Sequence, residues 1–473
     1  MEKKEYVVAI DLGTSKVVTL VGKKSDNHKI EILSGAVSDS LGGVSRGEIK
    51  NTEHLSKALK NTLEKIEKEL GISVKEAYVG ITGQHIKSSK HSGYIFIENN
   101  DNEVRKTDVQ RLNESMNNVQ IPIGETIVHI IPQKYSVDGE SDIGEPVGVI
   151  GKKLEASFNI VSGNRETITR IDKCLAKSNI KVSRHILNPL ASAEAVLVPD
   201  EKELGVAVVD IGGGTTDLCI YHDNIVRHVA IIPLGGNIIN RDIRYYGILE
   251  RYIESLKIKF GGAVSELERP DKYITIPGVN ARSSKEISFR NLASIIEARM
   301  LDVIESVNYE IRRSGYKDKL AAGIVLTGAC ANLRNLDILF RGQTGYEVRI
   351  AVPDVHVAEN NRELINNPGY STAVGLLLQA LKDGVAMVVD APKTVVVPPV
   401  SQSQPSVTAN PQQATSQRPK FNVPEKDPVK KSNDTAFDDA EEDGKDDKPR
   451  KRGIFGKIAD KFAGMFETID DEI

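Results

Sequence analysis

Two segments of this chain repeat one pattern: VVAIDLGTSKVVTLVG at 7–22 and VAVVDIGGGTTDLCIY at 206–221. Each runs β-branched apolar residues into an Asp, then a glycine turn, then hydroxyl residues and a second apolar run. That order reads as strand, tight turn, strand. Glycine lets a backbone turn sharply and approach a ligand closely. Backbone amides there, with the hydroxyls of Thr14, Ser15, Thr215 and Thr216, can donate to phosphate oxygens. Asp11 and Asp210 end the incoming strands and would face each other across a cleft. Two carboxylates beside a polyphosphate would repel it, a conflict that Mg²⁺, held largely through water, removes. One such hairpin is weak evidence, because an ordinary Gly turn looks the same. Two copies with the Asp at the same place make the phosphate reading the stronger one. There is no GxxxxGK[ST], so this is not a P-loop protein. A third loop, GIVLTGACANLRNL at 323–336, reads strand, Gly turn, helix, with Gly328 placed to bring backbone against an adenosine.

The rest of residues 1–385 alternates strand-like runs with helical patterns, which predicts an α/β fold. Thr52–Leu70 puts Leu55, Leu59, Leu63, Ile66 and Leu70 on one helical face, and Phe289–Ile311 is a second long helical pattern. Residues 84–160 read as an inserted α+β unit, with strands at 92–97, 127–135 and 154–160 and a capping box opening a helix at Thr107. A formal net charge of −4, from 62 Lys+Arg against 66 Asp+Glu, argues against a nucleic-acid binder. Cys174, Cys219 and Cys330 form no CxxC, which excludes a disulfide scaffold and a Cys-rich zinc site. No apolar run is long enough to span a membrane as a helix, and the N-terminal run is too short for a signal peptide. The protein is therefore expected in the cytoplasm, with any membrane contact peripheral.

From 386 to 452 the sequence is rich in Pro, Ser, Gln and Asn and then acidic, which predicts a disordered linker. A basic cluster follows, then a helical pattern at 453–469 with Ile454, Phe455, Ile458, Phe462, Met465 and Phe466 on one face. Lys457 and Lys461 flank that face. At about 1.5 Å per residue the segment is too short and too charged to span, but it suits a membrane surface. Packing on its own core and capture by a partner are the other readings of such a helix.

The three loops, in this order, resemble the actin/sugar-kinase/Hsp70 superfamily. VHIIPQKYSVDG (128–139), EPVGVIGKKLEA (145–156), FNIVSG (158–163), the acidic linker and the terminal helix narrow the resemblance to the FtsA family of bacterial cell-division proteins. That resemblance implies an actin/Hsp70-like fold of two lobes around an ATP cleft. The first-lobe core would be 1–83 and 161–200, the inserted subdomain 84–160, the second-lobe core 201–240 and 320–385, and its small subdomain 241–319. Asp11, Gly13, Thr14, Ser15 and Lys16 would form the first phosphate loop. Asp210, Gly212, Gly213, Gly214, Thr215 and Asp217 would form the second, with Asp11 and Asp210 positioning Mg²⁺ and water. Gly235, Gly236 and Asn237 of IPLGGNIINRDI, Glu254 and Lys257 in ExxK spacing, and Gly328 with Ala329 would enclose the nucleoside.

The implied partners are the C-terminal peptide of FtsZ, docking near Lys285 and Arg299, further copies of the chain in a head-to-tail filament, anionic lipid and later division proteins, with no nucleic acid. The implied place is the cytoplasmic face of the inner membrane at the septum. Two departures from the wider superfamily weigh against rapid hydrolysis. Asn188 stands at the start of the connecting helix where Glu or Gln is common, with Glu194 nearby, and Ala329 and Cys330 stand where Gly is usual. An MreB-like cytoskeletal filament and a small-molecule kinase are the alternative functions.

Overall fold

A computed structural model of the protein describes residues 5–25, 29–278, 284–358, 362–383 and 387–388. The helix expected at 453–469, with its membrane-facing residues, lies outside them. So does nearly all of the expected linker. Met387–Val388, placed in that linker by composition, instead pairs antiparallel with Glu5 and Tyr6.

The first lobe comprises β1 (Glu5–Leu12), β2 (Lys16–Lys24), β3 (Ile30–Asp39), α1 (Thr52–Leu70) and β4 (Glu76–Ile81). An insertion follows: β5 (Lys87–Phe96), α2 (Lys106–Ser115), β6 (Glu125–Val137), β7 (Glu140–Ile143) and β8 (Lys153–Asn164). The lobe closes with α3 (Arg165–Ala176), β9 (Lys181–Leu187) and α4 (Asn188–Val196). Its sheet runs β9-β4-β1-β2-β3, and the insertion forms its own sheet, β5-β8-β6-β7. Asn51 caps α1 by accepting from the amides of Glu53 and His54. Leu55, Leu59, Leu63 and Ile66 are buried against the sheet. The insertion has a separate core around Phe158, Leu154 and Leu112. Its helix starts one residue before the expected capping box. Asp108, not Thr107, supplies the cap, its carboxylate accepting from the Arg105 amide at 2.9 Å.

The second lobe continues with α5 (Pro199–Leu204), β10 (Val206–Ile211), β11 (Thr216–His222), β12 (Ile225–Ile232), α6 (Asn237–Tyr245) and α7 (Glu250–Phe260). After these come β13 (Tyr273–Pro277), β14 (Ser284–Ser288), α8 (Phe289–Ser314), β15 (Ile324–Thr327), α9 (Leu336–Thr344), β16 (Val348–Ile350) and α10 (Ser371–Lys382). The main sheet, β12-β11-β10-β15-β16, repeats the first one strand for strand. In each, the first strand pairs antiparallel with the second, which pairs antiparallel with the third. The first strand also pairs parallel with the fourth, and the fourth with the fifth. The loop after β15 differs from the sequence expectation. A single 3₁₀ turn at Ala329–Asn332 follows Gly328, and α9 begins only after Asn335 in a left-handed conformation.

Helices α4 and α10 cross where the lobes meet. Gly375 makes that crossing possible, because a Cβ there would lie 1.8 Å from the Ala191 carbonyl oxygen. The crossing brings the hydroxyls of Ser192 and Thr372 under the end of β10.

Candidate nucleotide site

The two hairpin turns meet. A Cβ on Gly213 would fall 2.3 Å from Ser15 Oγ, and one on Gly214 would fall 2.4 Å from Thr14 Oγ1. The second turn therefore has glycines where the first has side chains. Both turns border a cavity of about 540 Å³, a size suited to a nucleotide-sized ligand. On one side stand Asp11, Gly13, Thr14, Ser15 and Lys16. Opposite them stand Asp210, Gly212 to Thr215, and Asp217. Glu254, Lys257, Gly328 and Ala329 also line the cavity.

Gly328 has φ +86°, and a Cβ there would strike Asp210 Oδ1 at 2.2 Å and the Ile211 amide nitrogen at 2.6 Å. Only glycine fits so close to the second turn. Gly235 and Gly236 lie behind that turn and do not line the cavity. The amides of Gly236 and Asn237 donate to the Gly212 and Gly213 carbonyls at 2.9 and 2.8 Å. Thr216 is likewise turned away, with its buried hydroxyl donating to the Leu234 carbonyl at 2.9 Å. These residues brace the second turn. Lys257 is buried, and its ammonium donates to Glu254 at 2.9 Å and to the Gly236 carbonyl at 3.4 Å.

Three buried carboxylates share the cavity. Burial and the charge of Asp210 push Asp11 up to about 7, against the pull of Lys16. Burial and Asp210 push Asp217 up to about 8, against hydrogen bonds from Thr82 and Thr215. Burial also raises Asp210, opposed by Ser192, Thr372 and Lys16. Ser192 donates to Asp210 Oδ2, and Thr372 donates to the same oxygen at 3.0 Å. Burial lowers the Lys16 ammonium, with Asp11 and Asp210 pulling it back up. Its Nζ sits 3.8 Å from the centre of the Tyr370 ring. Crowded, desolvated carboxylates beside amide-rich turns are the donor set a hard cation bridging to phosphate satisfies. Among the described residues no three acidic, His or Cys side chains converge to hold a metal by themselves. The fit is therefore to a cation held mainly through water and phosphate oxygens.

Sequence reasoning missed Thr82, whose hydroxyl donates to Asp217 at 2.9 Å, as well as Ser192, Thr372 and the turn Asn367–Gly369. Thr82 directly follows β4 in the run GITG, a strand running into a hydroxyl and a glycine. Ser192 and Thr372 carry no such mark, because each sits among small residues of a helix. Asn188 lines the cavity, and its buried Oδ1 has no hydrogen-bond partner. Glu194 does not reach the cavity. It is paired with Lys202 at 3.0 Å and with Lys382. Of the expected partner-facing residues, Arg299 is held by Asp242 and by Asp302 at 2.9 Å. Lys285 is exposed, donating to the Tyr246 carbonyl at 3.0 Å.

A family model described as Cell division protein FtsA matches residues 207–375, and one described as the SHS2 domain inserted in FtsA matches 83–162. The chain is 34% identical over 404 residues to the cell division protein FtsA of Pseudomonas aeruginosa, covering 83% of this chain and 96% of that one. It is 31% identical over 382 residues to FtsA of Escherichia coli, covering 79% and 90%. Among solved structures, a chain of the PilM-PilN type IV pilus biogenesis complex aligns with a TM-score of 0.58 at 14% identity, over 80% of this chain and 99% of that one. That likeness concerns the fold alone.

Proposed function

This chain belongs to the FtsA family of cell-division proteins, and from that premise we propose that it is an ATP-binding scaffold that polymerises on the cytoplasmic membrane face at the septum, tethers FtsZ there and helps recruit later division proteins. The observation that carries the proposal is the meeting of the two hairpin turns around three buried carboxylates. A Mg²⁺ ion bound there with ATP would supply the charge that neutralises those carboxylates and the phosphates. Thr14, Ser15 and the amides of Gly213 and Gly214 would hold phosphate oxygens, and Lys16 would pair with their charge; the Gly212 amide closes the turn itself by donating to the Thr215 carbonyl at 2.9 Å. Asp11 and Asp210 would hold the cation through water. Glu254, Lys257, Gly328 and Ala329 would bound the nucleoside.

Hydrolysis would be slow. Asn188 borders the cavity, but its Oδ1 is buried against Gly80 and an amide does not take up a proton from water. Glu194, the nearby carboxylate, is committed to two lysines. The site thus favours a nucleotide that holds the lobes together over one that is rapidly turned over. Self-association and the amphipathic segment at 453–469 would convert that state into a membrane-bound filament, in which many weak anchors add.

Co-sedimentation with anionic liposomes tests this reading, using the full chain and a truncation ending at Lys448, with and without Mg-ATP and FtsZ. Pelleting that needs the tail, rises with Mg-ATP and carries FtsZ down is the expected outcome. A full-length protein that leaves both lipid and FtsZ in the supernatant would overturn it.

A further inference from the structure

Away from the hairpins, the insertion touches the second lobe along a polar joint. Gln133 on β6 donates to the Val226 carbonyl at 2.7 Å, and Asn159 on β8 donates to the Arg227 carbonyl at 3.0 Å. The Arg227 guanidinium, only 3% exposed, returns a bond to the Gln133 carbonyl at 3.2 Å. Beside this joint lies a cavity of about 390 Å³, walled by β5 and β8 of the insertion and by β12 and the end of α8.

Its charge is one-sided. Lys87, Lys90, Arg227 and Arg313 line it, and Glu310 is the one lining carboxylate. Glu310 is already engaged, by His228 at 2.9 Å and Arg313 at 3.2 Å. Glu125 and Asp223, which pair with Lys87 and Arg227, are not among the lining residues. Lys90 has no carboxylate partner among the described residues. Burial holds the His228 imidazole below its usual range, Glu310 opposes this, and the charges of Arg313 and Lys90 add to the lowering. Both cations therefore act on one ring from opposite walls, Lys90 from the insertion and Arg313 from the second lobe.

We propose that this joint is a second anion site, taking a compact phosphate-bearing molecule between Lys90 of the insertion and Arg313 of the second lobe. Polar walls and the Ser88 hydroxyl suit oxyanion chemistry, and the volume admits a diphosphate-sized group. A ligand bridging both walls fixes the insertion to the second lobe and so stabilises the folded chain by mass action.

The test is thermal denaturation of the full-length protein in divalent-free buffer with increasing inorganic pyrophosphate, against sodium chloride of equal ionic strength. The expected result is a saturable rise in melting temperature beyond the chloride control. Lys90→Glu and Arg313→Glu, both at exposed positions, should abolish it, while Lys16→Met in the hairpin cleft should leave it. A rise no larger than that from chloride, or one that survives both charge reversals, overturns the proposal. So does a rise lost in Lys16→Met but kept in Lys90→Glu, which would put the pyrophosphate in the hairpin cleft.

Discussion

The two hairpins share a backbone and divide the chemistry between them. Asp11 faces Val18 across the first and Asp210 faces Asp217 across the second, in matching register. Both turns begin on a glycine, Gly13 and Gly212. Beyond that they diverge. Where the first carries Thr14, Ser15 and Lys16, the second carries Gly213, Gly214 and Thr215. Where the first buries Val18, the second buries Asp217. Side chains on both turns would collide, and glycines on both would leave no cation beside the carboxylates. The repeated fold closes one cavity between its two turns because the copies are unlike in side chains.

The largest expected effect separates the two by charge. The three carboxylates are raised, so the folded state holds protons that the unfolded state has released. Their contribution is complete below about pH 4 and is lost as pH rises through about 7 at Asp11 and about 8 at Asp217. Metal-free protein should therefore lose several kcal/mol of stability between about pH 4 and 8. Urea denaturation across that range measures it. Asp217→Asn should flatten the upper part of the profile and Asp11→Asn the part centred lower. Equal flattening by both would remove the asymmetry between the hairpins.

Next comes the fit between the turns. Gly213→Ala places a methyl group against Ser15 Oγ, and overpacking of this kind costs about 1–3 kcal/mol. If it falls on the nucleotide-bound state, Mg-ATP affinity drops by roughly ten- to a hundredfold. Ser15→Gly removes the obstruction together with a hydroxyl proposed to hold phosphate, so Gly213→Ala should cost little further affinity when added to Ser15→Gly, read by calorimetric titration. A Gly213→Ala penalty as large in Ser15→Gly as in the native chain would show that the turns do not depend on each other's shape.

A smaller effect concerns what anchors each Asp. Asp210 accepts from Ser192 and Thr372, one on each crossing helix. Ser192→Ala removes one buried hydrogen bond to a carboxylate and should cost about 1.5–3 kcal/mol at a pH where Asp210 is ionised. The loss should shrink at acid pH. A cost independent of pH would assign Ser192 to helix packing alone.

The fold was legible because its repeat is written in local patterns: β-branched runs ending in Asp and Gly, and α1 with apolar residues at helical spacing. The strands proved longer than their apolar runs. Polar residues such as Ser88 and Lys90 extend β5 because pairing with β8 satisfies their backbone whatever their side chains. Within the candidate site, residues next to the glycine turns could be picked out, since turn chemistry is local. Ser192 and Thr372 could not, since their approach to Asp210 depends on how two helices cross, far apart in sequence. Gly235, Gly236 and Thr216 show the converse limit. Their residue types suit a phosphate loop, but strand alternation and the packing of α6 turn them to its rear.

The smallest effect asks whether the second hairpin's extra carboxylate is tuned from the first lobe. Thr82 directly follows β4, and its hydroxyl reaches across to Asp217 at 2.9 Å. This bond favours the ionised carboxylate, partly offsetting burial and the charge of Asp210. Thr82→Val keeps the shape and removes the donor, so Asp217 should titrate higher still. The change amounts to about 1 kcal/mol or less near pH 8, because Thr215 also donates to Asp217. Carboxyl ¹³C shifts of Asp217 followed against pH would resolve it. Val18, at the matching place in the first hairpin, has no charge for a neighbour to tune, so no substitution around it should produce a comparable shift. An unchanged Asp217 titration in Thr82→Val would mean that the second lobe alone sets this carboxylate, and that the lobes are complementary in shape but not in charge.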